Sequence, residues 1–134
     1  MRVADSSVVV AAFASWHGEH EAARASLLGN PAIVAHAAFE TYSVLTRIQP
    51  PERAHPGDVR LFIEETFGDR WLGLATTSLR HSLGRLEQLG ISAGQTYDGL
   101  IAMTAASHDA TLLTLDRRAQ RTYALVGADV ELVA

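Results

Sequence analysis

Four carboxylates stand among apolar neighbours, three of them where a strand or loop gives way to a helix. Asp5 follows a short apolar start, Arg2-Val3-Ala4, and is followed in turn by Ser6 and Ser7. Glu40 ends Ala38-Phe39-Glu40, Asp98 lies in Tyr97-Asp98-Gly99-Leu100-Ile101-Ala102, and Asp116 closes Thr111-Leu112-Leu113-Thr114-Leu115. Acids clustered among apolar neighbours repel one another, and their pKa values rise unless a cation lies among them. A set of oxygen donors suits Mg²⁺ or Mn²⁺ and needs neither histidine nor thiolate. Such an ion acidifies bound water and stabilises charge on a phosphate, which is the chemistry of cutting a nucleic-acid backbone. Asp5, Glu40, Asp98 and Asp116 are therefore the expected catalytic acids. Metal is expected on Asp5, Asp98 and Asp116, with Glu40 binding a metal or orienting water.

Taken singly, each acid has a plainer reading. Asp5 and Asp116 suit helix caps, Asp98 suits the first turn of a helix, and Glu40 suits a solvated helix position. Their joint placement argues for more. Three of the four lie where a strand or loop feeds a helix, and in a parallel sheet such junctions share one edge, beyond which ligands bind.

The elements that must position them follow from periodicity. Helices are expected over 6–14, 19–28, 36–48, 58–67, from a Thr77 or Ser78 cap to Leu89, from a Thr96 cap over 97–108, and over 117–125. On the second, Ala22, Ala23, Leu27 and Leu28 form the inward stripe; on the third, Phe39, Tyr42, Leu45 and Ile48 share a face. Strand candidates are 2–4, 32–35, 71–75, 110–115 and 129–133, the last alternating as an edge strand does. This alternation predicts an α/β fold in three layers, α/β/α, with a mostly parallel sheet of roughly five strands and about seven helices. Residues 50–57, opened by Pro50-Pro51, read as a connector inside one domain spanning 1–134.

Composition narrows the function. The chain has 134 residues, 48% of them apolar, and no cysteine, which removes disulfides, thiolate metal sites and thiol nucleophiles. No apolar run approaches the ~20 residues of a membrane span, and the start lacks the pattern of a secretory signal, so no membrane association and a cytoplasmic location are expected. All eleven basic residues are arginine, and the net charge is −4. Without lysine, a phosphate-binding P-loop is impossible. A receiver domain and a haloacid-dehalogenase-like phosphatase also expect a lysine, and the latter a second aspartate where Ser7 stands. An acidic chain that binds nucleic acid must rely on metal and a local arginine cluster. Arg117, Arg118 and Arg121, read as lying on the last helix, supply one, against the plainer reading of a solvated helix face.

The ordered set of four acidic motifs resembles the PIN domain, and most nearly the VapC toxins of bacterial toxin–antitoxin pairs. The apolar-Asp-Ser-Ser start is similar to that family's first motif, Ala38-Phe39-Glu40 to its second, Tyr97 to Ala102 to its third, and Thr111 to Arg117 to its fourth. Order, spacing and length agree over essentially the whole chain. The resemblance implies a PIN-like fold and a Mg²⁺-dependent endoribonuclease, with Mn²⁺ as a substitute, that leaves a 5′-phosphate and a 3′-hydroxyl. It also implies a homodimer and a cognate VapB-type antitoxin. The alternative is a PIN domain that does not cleave and acts as a binding or regulatory partner. Two departures stand out. Arg118 occupies a position that often carries a further acid or amide, which puts a second fully ligated metal in doubt. Gly99 replaces the usual Ala or Ser, with little expected consequence.

Ser7 and Thr114 are candidates to hydrogen-bond the carboxylates or a metal-bound water; capping or strand packing is the plainer reading. His17 and His20, three apart, lack a third ligand and read as a surface pair rather than a zinc site. Trp16, Trp71 and Phe62 are left between core and dimer contacts.

Overall fold

Short apolar runs separated by helices bury best side by side in a sheet with helices above and below. The computed structural model describes residues 1–134. Strand β1 (Arg2–Ala4) lies at the centre, with β2 (Ala32–Val34) and β3 (Trp71–Leu72) on one side and β4 (Thr111–Thr114) and β5 (Val130–Leu132) on the other. The order is β3-β2-β1-β4-β5, and every pairing is parallel. The sheet expected to be mostly parallel is wholly so. Val3, Ala4, Ile33, Val34, Leu112 and Leu113 are buried to within 1%, as strands covered on both faces require. The cover comes from α1 (Ser6–Phe13), α2 (His20–Leu27), α3 (Ala35–Arg47), α4 (Pro56–Phe67), α5 (Thr76–Leu89), α6 (Thr96–Ser107) and α7 (Gln120–Val126). No helix is long and apolar enough to cross a membrane.

The strand order matters for the site. From β1 the chain builds outward to β2 and β3, then returns to add β4 and β5 on the other flank. The reversal opens a crevice at the carboxyl ends of the central strands. Ala4 pairs with Leu113, and the Asp5 amide continues the ladder by donating to the Leu113 carbonyl at 3.1 Å. The residues just past β1 and β4 are thereby fixed side by side at that edge.

Several expectations need correcting. On α3 the inward residues are Ala37, Ala38, Thr41 and Leu45, whereas Phe39 is 68% and Tyr42 42% exposed. Small side chains let α3 lie close to the sheet, and that turns the aromatics outward. Leu28 lies beyond the end of α2 and is 83% exposed. Strand β3 stops at Leu72, just before Gly73, rather than reaching Ala75. The caps expected at Thr77 or Ser78 and at Thr96 are absent: Ala75 and Gln95 hold those positions without side-chain hydrogen bonds. Helix α7 begins at Gln120, so Arg117 and Arg118 lie in a turn ahead of it and only Arg121 is helical. Gly99 packs closely, but its nearest neighbour is the movable end of a leucine. A Cβ there would stand 2.6 Å from Leu86 Cδ2 and 3.3 Å from Ile91 Cγ2, so the glycine is what admits these side chains against α6.

Candidate active site

Asp5 is 1% exposed, and every polar neighbour donates to it. Its Oδ1 accepts from Ser7 Oγ at 2.5 Å and from the Val8 amide at 3.2 Å, the latter capping α1. Its Oδ2 accepts from the Tyr123 hydroxyl at 2.8 Å. A carboxylate oxygen has about two lone-pair positions, so Oδ1 is filled while Oδ2 keeps one acceptor position. Burial pushes the Asp5 carboxyl up, and the hydroxyls of Ser7, Thr114 and Tyr123 with the Val8 amide pull it back. Burial, reinforced by Asp5 itself, also drives the Tyr123 hydroxyl far above the ordinary phenol range, which keeps it a donor. Tyr123 escaped the sequence reading because a tyrosine amid Thr122, Ala124 and Leu125 looks like ordinary core. The signal available was its hydroxyl, since a buried tyrosine must find a partner.

The two hydroxyls singled out from sequence tie β1 to β4. Ser7 Oγ accepts from the Leu115 amide at 2.8 Å and lies 3.3 Å from Thr114 Oγ1, which in turn accepts from the Asp116 amide at 3.0 Å. Asp116 Oδ1 accepts from the amides of Arg118 (2.9 Å) and Ala119 (3.2 Å). These bonds hold residues 117–119 in a turn and delay α7. They leave Asp116 Oδ2 free. Arg117 and Arg118 line, with Ser7, His17 and Asp116, a cleft of about 530 Å³. Neither they nor Arg121 is among the chain's ion pairs.

Asp98 and Glu40 approach from the facing helices. Asp98 stands in the first turn of α6, where the helix dipole favours an anion. Even so, its carboxyl is pushed up to about 6, first by burial and then by the charges of Asp116, Glu40 and Asp5. Asp98 thus feels the other three acids, although no three His, Asp or Glu side chains are grouped so as to hold an ion as they stand. Glu40 Oε1 is buried without any hydrogen-bond partner, and Oε2 lies 3.8 Å from His36 Nε2. A buried acceptor with no donor, in a set made only of carboxylate oxygens, fits a divalent cation of the Mg²⁺ or Mn²⁺ kind.

The remaining candidates separate cleanly. His17 Nδ1 accepts from the Glu19 amide, while His20 Nδ1 bonds the Ala11 carbonyl, so the two do not act as a pair. Phe62 is half-buried and meets Phe13 edge to face, with ring centres 5.5 Å apart; Trp16 is exposed. Trp71 joins Phe39 and Tyr42 in an apolar groove of about 290 Å³ lined from α3, α4 and β3.

A PIN-domain family model matches residues 2–125. The chain belongs to the PIN-domain family. This PIN domain is 43% identical to Ribonuclease VapC40 of Mycobacterium tuberculosis over 129 residues, covering 96% of each chain. It is 37% identical to Ribonuclease VapC27 of the same organism over 131 residues, covering 97% of this chain and 95% of the relative. The fold is shared with FitAcB from Neisseria gonorrhoeae, at a TM-score of 0.67 and 16% identity, covering 99% of this chain and 98% of that one. The fold expected from the resemblance is thus the fold observed.

Proposed function

We propose that this PIN domain, acting as one unit over residues 1–134, is a metal-dependent endoribonuclease and the toxin of a toxin–antitoxin pair. The observation that carries the reading is the buried Glu40 Oε1 that no donor reaches, at a site where Asp98 feels Asp116, Glu40 and Asp5 together. The ribonuclease names of the two curated relatives support the choice of RNA.

Asp5, Asp98 and Asp116 would hold Mg²⁺, or Mn²⁺ in its place, with Glu40 beside them. Such an ion would supply positive charge for the phosphate and acidify water. The chain supplies the rest. Ser7, Val8 and Tyr123 fix the Asp5 carboxylate, and the turn amides fix Asp116, so each presents one known oxygen. Glu40 Oε1, buried without a donor, would face that ion or orient a water beside it. Arg117 and Arg118 meet the phosphates of a strand lying in the cleft, with Arg121 on the helix that follows. A partner antitoxin and a second copy of the chain complete the reading, and the exposed groove at Phe39, Tyr42 and Trp71 is apolar surface that a protein partner would cover.

The test is RNA cleavage with added Mg²⁺ or Mn²⁺ by the wild type and by Asp98→Asn. We expect a loss on the order of 100-fold, with 5′-phosphate ends on wild-type products. Undiminished cutting by Asp98→Asn removes Asp98 from the chemistry.

A further inference from the structure

We propose that the cavity between α5 and α6 is a nucleobase subsite, with Tyr97 as its stacking wall. The inference rests on the reading that the acids act on RNA, and it adds where a base of that RNA is held.

Tyr97 precedes Asp98 on α6. One face of its ring is covered by His36, with ring centres 4.8 Å apart and planes 9° from parallel. His36 in turn stands 3.8 Å from Glu40 Oε2. The two rings therefore form a short stack beside the carboxylates, His36 against Glu40 and Tyr97 next to Asp98 in the chain. Tyr97 remains 53% exposed and lines a cavity of about 440 Å³, which His36 does not line. Tyr97 thus brings to the cavity a half-exposed ring that His36 covers on one face. The cavity's other walls include Leu79, Leu83 and Leu100, with Arg80 and Thr96 among the polar positions.

This chemistry fits an unpaired base better than a metabolite or a metal. An aromatic plane takes any base face by stacking, and single-stranded RNA is commonly held in this way. The leucines exclude water from the base edges, while Arg80, which forms no ion pair, and Thr96 offer hydrogen bonds to edge or sugar. Leu83 is 72% exposed with no packing role evident on its outer side, which suits a wall completed by a ligand. A base on Tyr97 would add one plane to a stack that already stands beside the acids.

The experiment uses single-stranded RNA carrying 2-aminopurine, whose fluorescence falls on stacking, titrated with the full chain in Ca²⁺ to suppress turnover. Parallel assays in Mn²⁺ measure KM and kcat. Tyr97→Ala is expected to weaken RNA binding roughly 5- to 100-fold, to abolish the quenching and to act mainly on KM. Tyr97→Phe, which keeps the ring, should recover most of that loss. Leu83→Glu, at an exposed position with little bearing on folding, should weaken binding as well.

RNA affinity within two-fold of wild type in both Tyr97→Ala and Leu83→Glu overturns the subsite. So does an equal fall in Mn²⁺ affinity for Tyr97→Ala, which would make Tyr97 a support for Asp98. Variants that keep RNA binding but lose a co-expressed partner protein overturn it too, in favour of a protein-docking face. A wild type that binds with Tyr97-dependent quenching yet never cuts sinks the nuclease reading and leaves the subsite standing.

Discussion

Asp98 shows most directly what the site costs the fold. Its folded-state carboxyl titrates at about 6 against an ordinary 3.8. The folded protein therefore binds this proton more tightly than the unfolded chain does. The contribution to stability is complete below the unfolded value and is lost as pH rises through the folded one. Asp98→Asn, which cannot ionise, should then stabilise the protein at pH 7.5 in chelator by about 1–2 kcal/mol, a figure discounted for the partial exposure of the group. The gain should vanish below about pH 4. Urea melts across that range check it, and a gain that does not depend on pH would mean that Asp98 is not under charge stress. The four acids themselves were legible in the sequence, because three lie where a strand or loop feeds a helix and all four have apolar neighbours. Their supports were less so. Ser7 and Thr114 could be named because they flank the acids. Tyr123 lies 118 positions from Asp5, and only the fold brings its hydroxyl there.

At the scale of elements, the same reading found all five strands and all seven helices, since apolar runs and Gly or Pro breaks carry that information locally. It misplaced features decided by contact. Phe39 and Tyr42 obey helical spacing as well as Ala37, Ala38, Thr41 and Leu45 do, but closeness to the sheet selects the smaller set. The start of α7 is set by Asp116 drawing in the amides of Arg118 and Ala119, a competition between side chain and helix that periodicity does not register. Gly99 is a case of close contact. A Cβ there runs into Leu86 at 2.6 Å, although the end of a leucine can shift to receive a small group. Gly99→Val adds branched bulk that it cannot absorb. We expect overpacking to cost about 1–3 kcal/mol, read as a lower urea midpoint at unchanged slope. A neutral or stabilising result would show that α5 and α6 have slack between them.

For the molecule as a whole, charge sets the terms of binding. A chain of net charge −4 repels RNA at long range, and its site adds further negative charge. Attraction must come from the cation held by the acids and from guanidiniums left unpaired near it. Arg117 and Arg118 fill that place on the cleft, made available because their turn is pinned by Asp116 and not by an ion pair. Each phosphate contact on a single strand adds about 0.7 to the slope of log affinity against log salt. The double variant Arg117→Ala/Arg118→Ala, measured with a chelated or Ca²⁺-loaded chain between 50 and 200 mM salt, should therefore flatten that slope by about 1.4 and weaken binding similarly across RNA sequences. Tyr97→Ala should leave the slope where it was while lowering affinity, because stacking releases no counterions. If the arginine variant keeps the wild-type slope, the strand does not cross this cleft, and the acids must be reached from the α5–α6 side alone.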